Sequence, residues 1–379
     1  MSPSAAVVPF VARFERAREA MDSAGVDVSL LSVGADLPWL TGYWAMPLER
    51  LTMLVVPAAS VHASAVLVVP ALEAPRARPV PEAFGMRTWG ETEDPVDVVA
   101  SLVRSFVPSV GRCIAVSDRT WATFLLALQE RLPGNRWLPA STVMGPLRAV
   151  KDAQEVEALA RAAASADKVA AALLGGEVPL VGRSERDISV EIGQRLVAEG
   201  HDHVNFAIVA SGPNAASPHH EPGERVVQAG EPVVCDFGGS LAGYCSDMTR
   251  TVFTGPPPPE LAHVYNVVAE AQVAGVAAAQ VGSACHEVDD AARKVIGQAG
   301  FGGYFVHRTG HGIGLEEHEP PYMVTGNDAP ILAGNVFSVE PGVYVPGRWG
   351  VRIEDIVVAT AEGPRSLNQA SHALIVVEA

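Results

Sequence analysis

Positive charge is scarce in this chain: 27 Lys and Arg stand against 43 Asp and Glu, a formal net charge of −16. No nucleic-acid partner is expected, because phosphate contacts need basic residues in excess. Cysteine is scarcer still. The four present, Cys113, Cys235, Cys245 and Cys285, form no CxxC pair. Neither a disulfide framework nor a zinc knuckle is therefore indicated, and they read as small core residues in a reducing cytoplasm. Long apolar runs are missing too. The nearest, Leu51 to Leu72, is interrupted by Pro57, Ser60, His62 and Pro70. It reads as two short buried strands, LTMLVVP and SAVLVVP, and not as a membrane span. No leader peptide is expected, because the first basic residue, Arg13, lies inside an amphipathic pattern and not ahead of an apolar core.

What is present is apolar content of 48% over 379 residues, enough for two domains with a core each. Phe10, Phe14, Ala17 and Met21 recur at helical spacing, and Gly25 is placed to stop that helix. Val26 to Ser32 reads as a strand and ADLPWLTGYW as a loop, in which Trp39 and Trp44 are either core or groove lining. The paired strands, a Pro-rich connection, a helix near Val96–Phe106, a strand at Cys113–Val116 and a helix near Trp121–Arg131 complete an α/β unit. The run Pro146 to Lys151 marks a boundary, giving domains 1–145 and 146–379. Beyond it, Asp152 and Glu155 make a capping-box start to a helix reaching about Leu174. Ser184 and Asp187 cap another, which runs through Val197. Further helices are expected from Glu260 to roughly Gln280 and near Glu287–Gln298. Two helical blocks, each followed by strands, suggest an internal duplication, although identity between the halves is too low to align a repeat.

Chemistry concentrates in EPVVCDFGGSLAGYCSDMTRTVFT, residues 231–254. An apolar run ends at Asp236, a turn is expected at Gly238 and Gly239, and a second run carries Asp247. The pattern is that of an antiparallel hairpin holding two carboxylates face to face. Buried carboxylates so placed repel unless a cation or a shared proton intervenes. Three more ligand-type residues follow in Gly-rich or strand settings: His311 in RTGHGIG, Glu340 in FSVEPG and Glu354 in GVRIED. Taken singly each would be structural. Five together form an oxygen-rich set with one imidazole, suited to Mn, Fe, Co or Zn, and to two ions if the carboxylates bridge. Glycines flanking His311 are expected to clear space for a close metal approach.

This order of residues resembles the pita-bread metallopeptidases, the family of methionine aminopeptidase, aminopeptidase P and prolidase. Its five ligands run Asp, Asp, His, Glu, Glu, which implies Asp236, Asp247, His311, Glu340 and Glu354 here, holding two divalent ions, manganese first and Co, Zn or Fe as alternatives. The spacings of 11 between the Asp pair and 14 between the Glu pair are similar to the proline-specific branch. The N-terminal domain resembles that of aminopeptidase P, prolidase and creatinase, and disfavours a methionine aminopeptidase. The resemblance implies an α+β fold, with a curved antiparallel sheet backed by helix pairs in the C-terminal domain and a smaller α/β domain before it. It also implies a metallo-exopeptidase, an Xaa-Pro aminopeptidase or Xaa-Pro dipeptidase acting on short proline-containing peptides, and a cytoplasmic homodimer. A metal-dependent C–N hydrolase of a small non-peptide compound, ectoine-hydrolase- or creatinase-like, is the alternative.

The pocket histidines of that family correspond to His219 and His318, expected to serve the oxyanion and the leaving amine. Glu340 is the expected acid/base. Arg352 shares a strand face with Glu354 and would either bind a substrate carboxylate or neutralise the carboxylates. Prolidases often carry an Arg where Tyr322 stands, so a relaxed dipeptide restriction is expected, with Arg352 the remaining cation of these motifs. His201, His203, His263 and His372 read as solvated. His220 is ambiguous, and His286 and His307 carry no assigned role.

Overall fold

The computed structural model describes residues 8–377. The extreme N-terminus, on which the reading of a leaderless start partly rests, lies outside them. The chain falls into two compact units, divided between Arg148 and Ala149.

The first unit runs α1 (Val8–Ala24), β1 (Val28–Leu31), α2 (Asp36–Thr41), β2 (Met53–Pro57), β3 (Ala65–Pro70), β4 (Phe84–Trp89), α3 (Pro95–Phe106), β5 (Cys113–Val116), α4 (Ala122–Arg131), β6 (Arg136–Pro139) and α5 (Ser141–Ala149). Helix α1 buries Phe14, Ala17 and Met21 on one face, and Gly25 ends it with φ +65°. The six strands form one mixed sheet in the order β4-β3-β2-β1-β5-β6. As expected, β2 and β3 pair antiparallel, and each is apolar throughout because it sits inside the sheet.

Three elements differ from the sequence reading. The stretch ADLPWLTGYW contains helix α2, closed by Gly42 in the left-handed region (φ 68°). Strands β4 and β6 are largely exposed or half-buried and contain Gly85, Arg87 and Arg136, which hides them from a search for buried runs. Pro146 lies inside α5. Trp39 is core, beneath the guanidinium groups of Arg13 and Arg16, whereas Trp44 is exposed.

The second unit runs α6 (Ala153–Leu174), α7 (Glu185–Ala198), β7 (His203–Ser211), β8 (Pro232–Leu241), β9 (Tyr244–Cys245), β10 (Met248–Phe253), α8 (Pro259–Ala278), α9 (Cys285–Gln298), β11 (Gly310–Gly312), β12 (Glu319–Met323), β13 (Val336–Val339), β14 (Gly342–Val345), β15 (Trp349–Arg352), β16 (Asp355–Thr360) and β17 (Gly363–Ser366). The Asp152–Glu155 capping box forms at the start of α6, and Ser184 accepts from the Asp187 amide at the start of α7. Antiparallel sheets β10-β8-β7 and β12-β11-β13-β16-β17 are joined by a bridge between Thr249 and Glu354. Helices α6 and α7 pack on the first sheet, while α8 and α9 close separate apolar clusters with the strands that follow them.

The suspected duplication is visible in the backbone. Gly182 N donates to Val227 O (3.0 Å) and Gly282 N to Ile331 O (2.8 Å). Glu185 N donates to Arg225 O (3.0 Å) and Cys285 N to Ala329 O (2.9 Å). Donors one hundred positions apart (182 and 282, 185 and 285) make the same contacts, so one helix-and-strand arrangement is used twice, although the side chains have diverged.

Candidate active site

Strand β8 runs straight through the two glycines expected to turn it and reverses at Ala242 (φ 51°) and Gly243 (φ 86°). Gly238 and Gly239 are needed for another reason: a Cβ there would lie 2.2 Å from Ser246 O and 2.4 Å from His203 O. Asp236 therefore sits mid-strand, paired with Thr249 of β10. Thr249 in turn bridges Glu354, and its Oγ1 donates to Glu354 Oε2 at 2.6 Å. Asp247 lies in the break before β10. His311 is the middle residue of β11, where its neighbours Gly310 and Gly312 admit other strands. A Cβ on Gly310 would fall 1.8 Å from Ser338 O, and one on Gly312 would fall 2.4 Å from Glu319 O. The glycines around His311 thus serve backbone packing, and clearing space for a metal is not needed to explain them. Glu340 follows β13, with Ser338 Oγ donating to its Oε1 at 3.2 Å.

The structure brings all five carboxylate and imidazole groups to one cavity of about 490 Å³, together with His219 and His318. Ligand-type atoms of Asp236, Asp247 and Glu354 lie within 4.8 Å of one another, as do those of His311, Glu340 and Glu354, and those of Asp247, His311 and His318. His311 Nε2 is 3.5 Å from both Asp247 Oδ2 and Glu340 Oε1. Burial and the neighbouring carboxylates push Asp247 and Glu354 well above the usual carboxylate range. Burial raises Glu340 to about 7. It lowers His311 to about 3, helped by nearby His318, and lowers His318 as well. Asp236 Oδ1 is buried with no hydrogen-bond partner. A donorless buried carboxylate oxygen, set among carboxylates that repel one another, fits a bound cation. Asp236, Asp247, His311, Glu340 and Glu354 are the residues that could hold it.

Arg352 lies beneath this cluster and is 2% exposed. Its Nη2 donates to Asp236 Oδ2 (2.6 Å), its Nε to Thr249 Oγ1 (2.9 Å) and its Nη1 to Tyr344 Oη (2.7 Å). Burial disfavours its charge, but Tyr344, Asp236, Glu354 and Glu340 hold it protonated. All three guanidinium nitrogens are engaged, so neutralising the carboxylates is the role its geometry fits. Binding a substrate carboxylate, the other expectation, does not fit.

Tyr344 Oη also meets His307 Nε2 at 2.9 Å, while His307 Nδ1 lies 2.7 Å from Arg308 O. Only a protonated Nδ1 can serve that carbonyl, so Nε2 accepts from the phenol. Burial lowers His307 to about 4, helped by Arg352, and the ring is neutral.

His307, Arg308 and Glu317 line the cavity, and the sequence reading assigned none of them a role. Arg308 stands three residues before His311 in the same motif, the one signal that could have drawn attention to it. Tyr322 is not among the lining residues. It pairs with His311 across β11–β12, and its ring carries the Arg308 guanidinium at 4.4 Å. The His318 ring lies against His311, tilted by 46° with ring centroids 3.9 Å apart. The next residue, Glu319, is tied to Lys151 Nζ by a buried ion pair at 2.8 Å. Two histidines read as solvated are engaged: His201 is buried with Nε2 2.8 Å from Ser246 Oγ, and His372 meets Asp355 at 2.8 Å.

Residues 149–361 match Metallopeptidase family M24, and residues 13–150 match the Creatinase/Prolidase N-terminal domain. The chain belongs to the M24 metallopeptidases. This M24 chain is 42% identical over 372 residues to the probable dipeptidase PepE of Mycobacterium tuberculosis, covering 97% of this chain and 96% of that one. It is 34% identical over 352 residues to the Xaa-Pro dipeptidase of Lactobacillus helveticus, covering 92% and 94%. The crystal structure of dipeptidase PepE from Mycobacterium ulcerans superposes with a TM-score of 0.89 at 41% identity, covering 98% and 99%. The two-domain pita-bread fold expected from the sequence is present, and the chain is a metallo-exopeptidase of the proline-specific M24 branch. Membership implies divalent metal ions.

Proposed function

We propose that this enzyme hydrolyses the peptide bond between an N-terminal residue and proline in short peptides, using two divalent ions. Asp236, Asp247, His311, Glu340 and Glu354 would hold them, with manganese foremost and Co, Zn or Fe as alternatives. The observation that carries the reading is the pair of overlapping ligand groups, Asp236–Asp247–Glu354 and His311–Glu340–Glu354, in one cavity beside the donorless Asp236 Oδ1. Ions in such a site supply Lewis acidity and a nucleophile at neutral pH.

The chain's own residues do the rest. His219 and His318, both on the open side of the cavity, donate to the developing oxyanion and to the leaving amine. Glu340 passes the proton, its Oε1 held by Ser338 Oγ. Arg352 fixes Asp236 and offsets its charge. Phe206, Ile208 and Pro218 form an apolar wall suited to a proline ring. A cytoplasmic homodimer is proposed on family resemblance, and a monomeric mass with full activity would count against it.

Chelation should abolish cleavage of Ala-Pro, and Mn, Co or Zn should restore it, with Ala-Ala left uncut. His219→Ala and His318→Ala should each lower kcat by about 10²–10³ while retaining metal. Full activity in a rigorously metal-free preparation would sink the metal requirement. Failure to cleave any Xaa-Pro peptide would point to a small-compound hydrolase instead.

A further inference from the structure

The connection that delivers His219 to the cavity spans residues 212–231, with only a short 3-10 stretch at Gly212–Ala216. A loop of this length does not by itself hold an exposed imidazole in one place. Opposite it stands Glu185, the first residue of α7, fully buried. Glu185 Oε1 accepts from Ser211 N (2.8 Å), Ser211 Oγ (2.7 Å) and Asn214 Nδ2 (3.0 Å). Its Oε2 accepts from Asn214 Nδ2 (3.1 Å) and lies 2.8 Å from His220 Nε2. All five contacts come from residues 211–220. From the other side, Arg352 Nη1 donates to Pro218 O at 3.4 Å. The residues immediately before and after His219 are thus each tied to a buried charge, while His219 itself is left free to face the cavity.

We infer that Glu185, acting through His220 and Asn214, is a positioning residue that sets where the His219 imidazole stands over the substrate. The carboxylate touches the end of β7 at Ser211 and the loop at Asn214 and His220, and none of the metal-ligand residues. Its ionised form is favoured: burial alone would raise it, but the hydrogen bonds from Ser211, His220 and Asn214 bring it below the usual range. The inference rests on the reading above that His219 acts on substrate.

A double-mutant cycle tests it, because a residue that works only through His219 has no effect once His219 is gone. Turnover of Ala-Pro by the Mn-loaded enzyme is measured for His220→Ala, Asn214→Ala and Glu185→Gln, each with and without His219→Ala, alongside bound metal and Tm. His220→Ala should lower kcat roughly tenfold or more with KM and metal content unchanged, and should change nothing further in the His219→Ala background. His220→Gln, which retains a donor, should recover most of the loss. Equal losses in both backgrounds, or a fall in Tm with kcat intact, would overturn the inference in favour of a purely structural network. Should Glu185→Gln fail to fold, the half-buried His220 and Asn214 variants carry the test. Wild-type turnover in His219→Ala alone would remove the underlying reading, and the inference with it, and is recognisable in that single variant.

Discussion

At the scale of single residues, two arginines stand at the site in different settings. Arg352 is enclosed by Asp236, Thr249 and Tyr344, so it can orient a ligand carboxylate but offers little to a substrate. Arg308 lines the cavity and lies over the Tyr322 ring, an arrangement that keeps a planar cation extended and partly desolvated. A cation thus stands beside the place where Tyr322 replaces Arg, and if it binds the substrate's C-terminal carboxylate the dipeptide restriction is kept and not relaxed. Arg308→Met should lower kcat/KM for Ala-Pro by about tenfold or more, the worth of a charge-assisted hydrogen bond, and should leave the C-terminal amide of Ala-Pro almost unaffected. Kinetics on that pair of substrates checks it. An equal loss on both would show that Arg308 does not read the carboxylate. Selective loss on Glu-Pro would show that it reads the first side chain instead.

At the scale of elements, the pocket segments are pinned by buried polar groups and not by propensity. Asp289 of α9, fully buried, accepts from Thr309 N and Oγ1 and from Thr325 N and Oγ1, at 2.7–3.1 Å. It thereby fixes the entry to β11, two residues before His311. Lys151 does the same for β12 through Glu319. Lys151→Met removes that cation from a buried carboxylate and should destabilise the protein by about 3–5 kcal/mol, the usual penalty for breaking one half of such a pair. Denaturant unfolding of the chelated protein measures it. A change under about 1 kcal/mol would show that Glu319 is satisfied without Lys151. Gly310→Ala should be worse tolerated than a typical surface substitution, since its Cβ would meet the Ser338 carbonyl and neither backbone can yield.

At the scale of the whole molecule, the charge cluster sets how stability varies with pH. In the ion-free protein Asp247, Glu340 and Glu354 hold protons that the unfolded chain has already released. Stability from these groups therefore falls as pH rises, through about 7 for Glu340. The histidines act oppositely. His307 and His311, at about 4 and about 3, add stability as pH rises, but only up to roughly 6.5, where the unfolded imidazoles lose their charge as well. The carboxylate effect is thus isolated above roughly pH 6.5. Between there and pH 8 the Tm of the chelated protein should decline, and Glu340→Gln should flatten the decline. With Mn bound the trend should flatten or reverse, because the ion favours the ionised ligands. A Tm that climbs with pH in the chelated protein across this window would contradict the account. No helix among the described residues is long and apolar enough to cross a membrane.

The parts of this protein legible in its sequence are those governed by neighbours along the chain. The capping box of Asp152 and Glu155, the Ser184 cap, the stop at Gly25 and the apolar strands β2 and β3 all follow from contacts within a few residues or from simple periodicity. The set of Asp236, Asp247, His311, Glu340 and Glu354 was visible because an oxygen-rich group with one imidazole is chemically unusual, whatever its fold. Tertiary structure alone decided what surrounds them. Arg352 reaches Asp236 across 116 positions and Thr249 across 103, and Lys151 reaches Glu319 across 168. Glu185 finds its loop because α7 packs against β7. Strands β4 and β6 exist because neighbouring strands supply hydrogen bonds that their own residues do not advertise. Each is a long-range pairing whose free energy appears only once the sheet has closed.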